Sequence, residues 1–225
     1  MKIWKHFAVA IAVGMLLASA SVAGPIVDRV VANVNGHVVL LSDWEEEIAF
    51  EALLNGRSPD SFTTEERNAA LDRLVDQELL REQVRPATPA PSPDVQARVA
   101  EVRKLQPDAS TEQSWRATLR RYGLTQQALE KRLADEIQLM KLVQDRLRPS
   151  IQIDQQAIER YYHDELVPDI KKAGGTAAPL TEMYGKIRNM LAEKKMNELL
   201  TNWLASLRSG SEIRASDSKM QEGNR

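Results

Sequence analysis

Cysteine is absent from the 225 residues, which removes disulfides, thiol chemistry and thiolate metal sites together. Histidine occurs only as His6, His37 and His163, scattered along the chain, and no HExxH or GxSxG pattern accompanies it. No Gly-rich phosphate loop is present either, since Gly174-Gly175 lacks the Lys and Ser/Thr that such a loop requires. A surplus of one charge is also missing. Setting aside Lys2 and Lys5, the basic residues fall from 30 to 28 against 32 acidic ones, without the concentrated basic face of a nucleic-acid binder. These absences argue against an enzyme, an ATP-driven machine and a metalloprotein, and imply no cofactor.

Long hydrophobic runs are lacking except at the N-terminus. Lys2 and Lys5 precede the apolar run Phe7 to Ala18, too short for the roughly 20 residues of a comfortable membrane span. Ser21-Val22-Ala23 supplies the small residues of a cleavage site before Gly24, so residues 1–23 are expected to be a signal peptide. An uncleaved N-terminal anchor is the alternative. Beyond this run no stretch is long enough to span a bilayer. The remaining residues suffice for one domain or two small ones.

Strand-like sequence is scarce, which draws attention to the place where it occurs. Val30 to Val34 and His37 to Leu41 are apolar runs joined by Asn35-Gly36, the strongest short-range signal of a β-hairpin. Ser42 with Glu45 reads as a capping box opening a helix from Asp43 to about Leu54. The triplet Glu45-Glu46-Glu47 suits a helix's first turn and cannot converge on one ion, because adjacent helical side chains diverge by about 100°. A lone hairpin is barely stable in water and needs a partner. The other extended stretch is Ser211 to Ala215, at the far end of the chain.

Between these ends the pattern is helical. Thr63 with Glu66 caps a helix from Thr64 to Val84 with an apolar stripe through Leu71, Leu74, Val75 and Leu79. Residues 86–93 hold four prolines and read as a stiff connector. Ser92 caps a helix carrying Val95, Val99 and Val102. Ser110 and Gln113 cap a short one through Trp115 and Leu119, ending at Tyr122-Gly123. Thr125 caps a long helix to about Leu147, and Asp154 caps DQQAIERYYHDEL, in which Tyr161, Tyr162 and His163 read as helix surface or packing. After a small-residue loop, a last helix runs from Pro179 to about Leu207. The polar residues 217–225 read as a disordered tail.

Taken in order, VDRVVANVNGHVVLLSDWEEEI, ALDRLVDQELLREQ, LEKRLADEIQLMKLVQDRL, IDQQAIERYYHDEL and PLTEMYGKIRNMLAEKKMNELLTNWLASLRSGSEIRAS resemble the core of the SurA-like periplasmic chaperones. The resemblance implies a mainly α fold. Residues 24–165 form an N-terminal helical domain with its hairpin, and residues 179–216 form a helix and strand that pack back on it and complete it. In full-length members, parvulin-type prolyl isomerase domains lie where this chain has only the short loop 166–178, so no isomerase activity is expected. The implied function is ATP-independent binding of unfolded polypeptides, outer-membrane protein precursors among them, in the periplasm, with no nucleic acid and no membrane span after signal cleavage. A non-catalytic envelope adaptor with one folded partner is the rival.

A holdase must present apolar side chains with tolerant packing, which methionine suits. A contiguous apolar patch is therefore expected. Met183, Met190 and Trp203 fall on the stripe of the last helix and read as core. Trp115 and Tyr122, on the weakly patterned short helix, and Met140 are the candidate peptide contacts.

Overall fold

The computed structural model describes residues 28–84 and 92–215. The expected signal peptide, most of the Pro-rich connector and the polar residues 217–225 lie outside the described residues. The hairpin forms as its sequence dictates, with strand β1 at Val30–Val34 and β2 at His37–Leu40 paired antiparallel. Asn35 (φ 51°) and Gly36 (φ 92°) both take the left-handed conformation that matches the twist of the flanking strands. A bulge between Val30 and Ala32 shifts the register by one residue.

The third strand is β3, Ile213–Ala215, which pairs antiparallel with β1 and gives the order β2-β1-β3. Val34 stands opposite Ile213 and Ala32 opposite Ala215. The two ends of the described chain therefore meet in one sheet, as the resemblance implied. Asn35 serves both purposes: it makes the turn, and its Oδ1 accepts from the Glu212 N–H at 2.8 Å. Its Nδ2 donates to Ser211 Oγ at 3.2 Å and to Glu82 Oε2 at 2.8 Å.

Helix α1 spans Leu41–Leu54, so it starts two residues earlier than the capping pattern predicts. β2 runs straight into the helix, and its last residue, Leu40, occupies the cap position in an extended conformation. Asp43, not Glu45, reaches back to accept from the Leu40 N–H at 2.9 Å, while the Ser42 hydroxyl donates to Asp28. Helix α2, Thr64–Arg81, is capped as expected: Thr63 Oγ1 accepts from the Glu66 N–H and Glu66 accepts from the Thr63 N–H. Helices α3 (Ser92–Lys104), α4 (Glu112–Arg121) and α5 (Gln126–Leu147) follow. The α4 cap is Thr111 with Ser114, one residue beyond the predicted pair.

Two cores share α1. Its Trp44 and Ile48 pack under the sheet with Leu71, Val75 and Leu79 of α2. Its Phe50 and Leu53 enter a second core with residues of α3, α4 and α5 and with Ala109 and Leu124 of the connecting loops. The Gln106 side chain closes the end of α1 by donating to the Leu53 carbonyl at 2.7 Å.

Past α5, the helix capped by Asp154 extends further than expected. It comprises α6 (Gln155–Arg160), a π turn at Tyr161–Leu166 and α7 (Val167–Lys172), so the loop read as 166–178 shrinks to 173–179. Pro168 sits just past the π turn, where its missing N–H removes a helical donor in any case. Tyr162 donates its hydroxyl to the Ala178 carbonyl at 2.7 Å and fixes the loop's far end.

Helix α8, Leu180–Ser209, has 30 residues and is therefore about 45 Å long. One end packs Ile187, Met183 and Leu191 against Ile158 and Tyr162. The other sets Leu207 against the sheet core, where Arg208 pairs with Asp76 of α2 at 2.6 Å and donates to the Asp72 carbonyl. Only Ile187 of the helix is fully buried. Met190 is exposed and Trp203 half-buried beneath Arg146, so the core placement of these two is corrected: α8 is a strut between two clusters, with little packed along its middle.

Candidate functional site

The strut leaves a space. A cleft of about 1490 Å³ is bounded by β2, α1 and α2 on one side and by α5 and α8 on the other. It is larger than the roughly 300–1,000 Å³ of a small-molecule pocket. Apolar side chains reach it from every wall: Val38 from the hairpin, Leu74 from α2, Met140 and Val143 from α5, Met196 and Leu200 from α8. Val38 is 50% exposed and Met140 55% exposed, far more than a core residue tolerates. The remaining large exposed apolar residues, Val30, Leu105, Tyr184 and Met190, lie outside its lining. Instead of one contiguous apolar patch, the described residues offer an amphipathic trough.

Charged groups form much of the lining and fasten its walls. Glu47 is 3% exposed, and burial raises its carboxyl above the usual range, opposed by the adjacent Arg132 guanidinium. Arg132 of α5 binds Glu47, lies 3.4 Å from Glu46 and stacks its guanidinium 4.7 Å from the Phe50 ring. Gln77 of α2 donates to the same Glu47 carboxylate at 3.3 Å. Arg73 of α2 pairs with Glu51 at 2.5 Å. Glu46 and Glu47 of the acidic triplet thus join α1 to α5, and Glu47 with Glu51 joins it to α2.

The structure does not bring the three predicted contacts together. Trp115 is 1% exposed, in the helical core, with its Nε1 donating to Gln126 Oε1 at 2.7 Å and Arg103 stacked on its ring. Its expected exposure is corrected: Trp115 and Leu119, one turn apart, form the buried face of α4. Tyr122 is half-buried against the same core and donates to the Arg57 carbonyl at 2.9 Å. Met140 alone lines the cleft. Sequence reasoning missed Val38 and Leu200, and counted Met196 only among the adaptable methionines. For Met196, the available signal was a helix too long for the apolar surface available to cover it.

Among the described residues no group of three or more His, Asp or Glu is placed to hold a metal ion, and no helix is long and apolar enough to cross a membrane.

The chain is a mainly helical domain closed by a hairpin and a returning strand, with an amphipathic trough beneath its last helix. The chain belongs to the SurA-like N-terminal domain family, whose model matches residues 2–143, from the N-terminal segment through most of α5. No curated protein matches it.

Proposed function

We propose that the protein is an ATP-independent periplasmic chaperone that holds unfolded polypeptide, outer-membrane protein precursors included, and has no prolyl isomerase activity. Family membership supports the chaperone role. The cleft supports the holding of unfolded polypeptide: it is lined by two methionines among aliphatic side chains, which suits varied, weakly held segments. The expected signal peptide at residues 1–23 would deliver the chain to the periplasm. The seven-residue loop 173–179 leaves no room for a parvulin domain between α7 and α8.

Dilution of an unfolded outer-membrane protein into buffer, followed by light scattering, tests this. Stoichiometric protein should suppress aggregation, and Met140→Glu should weaken suppression several-fold while leaving the melting temperature unchanged. No suppression at stoichiometric amounts would favour an adaptor with one folded partner. Acceleration of proline isomerisation in a short peptide would overturn the non-enzymatic reading.

A further inference from the structure

The cleft has a charge preference as well as an apolar one. Its lining holds eight carboxylates and five cations. The cations are largely engaged: Arg132 with Glu46 and Glu47, Arg73 with Glu51, Arg81 with Glu78, and Arg98 with Glu101 outside the cleft. Asp43 receives the Leu40 N–H. What remains without a hydrogen bond or ion pair among the described residues is Lys131 against Asp135, Glu136 and Glu193. One of these is costly as it stands: Glu136 Oε2 is buried with no hydrogen-bond partner.

The order of residues on the two long walls repeats. On α5, Glu136 is followed one turn later by Met140 and then Val143; on α8, Glu193 is followed by Met196 and then Leu200. Each wall therefore presents an unpaired carboxylate beside an adaptable thioether and an aliphatic side chain. A segment that satisfies both must carry a cation next to apolar residues.

Resting on the proposed chaperone role, we propose that the cleft selects extended client segments in which Lys or Arg adjoins apolar side chains. The client ammonium or guanidinium pairs with Glu136 and Glu193, and its apolar neighbours cover Met140 and Met196. Segments with the same apolar residues and acidic neighbours are rejected, because they would bring further carboxylates into an already acidic trough.

Fluorescence anisotropy with short labelled unstructured peptides tests this, the peptides differing only in whether Lys, Gln or Glu flanks a shared apolar core. The Lys peptide should bind about threefold to tenfold more tightly than the Gln peptide, and the Glu peptide more weakly still. High salt should shrink the spread. In E136Q/E193Q the Lys-over-Gln preference should collapse, and E193Q alone, at an exposed position, should narrow it. Equal binding of the three peptides, or a preference that survives in the variants, overturns charge selection while leaving an apolar cleft intact. If no peptide binds, the chaperone reading falls with it.

Discussion

Asn35 shows how much one residue can carry. Its position in a two-residue turn was legible, because few side chains other than Asn tolerate a φ of 51°. Its second task was not. The same amide receives the N–H of Glu212 and donates to Glu82, tying the turn to β3 and to the end of α2. Asn35→Asp keeps the turn and the acceptor but replaces the donor with a carboxylate facing Glu82. The expected cost is about 1 kcal/mol, read as a fall of about 2–4 °C in melting temperature, larger at neutral than at acidic pH. Asn35→Gly, which also keeps the turn, should lose the tie without the repulsion and fall less. Equal melting of wild type and Asn35→Asp would show that the tie contributes nothing. Trp115 makes the opposite point: with Leu119 one turn away, its burial was written in the spacing, yet the short polar helix around it suggested exposure.

At the scale of elements, local chemistry determined most boundaries. Thr63 with Glu66, Thr125 and Asp154 each satisfy a helix's first free N–H groups, and the helices begin where those residues stand. The pattern misled at Ser42, because a strand running directly into a helix moves the cap back into the strand and gives Asp43 the role assigned to Glu45. It misled again at 166–172, where a π turn lets the helix continue up to and past Pro168. β3 is the element with most depending on least. Only Ile213–Ala215 is strand, yet it pairs with β1 and brings Ile213 against the sheet core. Deleting the chain from Ser211 removes that pairing and the Asn35 contacts together. A loss of about 2 kcal/mol or more is expected, seen as a melting temperature lower by at least about 5 °C. Deleting only from Asp217 should leave it unchanged. If both truncations melt alike, β3 does not close the domain.

The whole molecule is where the sequence fell short. Each wall of the cleft was legible as a helix, but which faces enclose a trough depends on where α8 lands. Its landing is set by contacts remote in sequence: Arg208 on Asp76 at one end and Ile187 against Ile158 at the other. Met140, Val143, Met196 and Leu200 meet across one cleft only because the strut stands off from α5 along its middle. The charged lining, by contrast, ties walls together: Arg132 with Glu46 and Glu47 joins α5 to α1.

Site-specific photo-crosslinking addresses the central claim that clients occupy this cleft. A photoreactive residue is placed at Met140, at Met196 or at Leu105, the last being as exposed as Met140 but outside the lining. With an unfolded outer-membrane protein held in solution, crosslinks should form at positions 140 and 196 and be weak at 105. Crosslinks equal at all three positions, or strongest at 105, would contradict it.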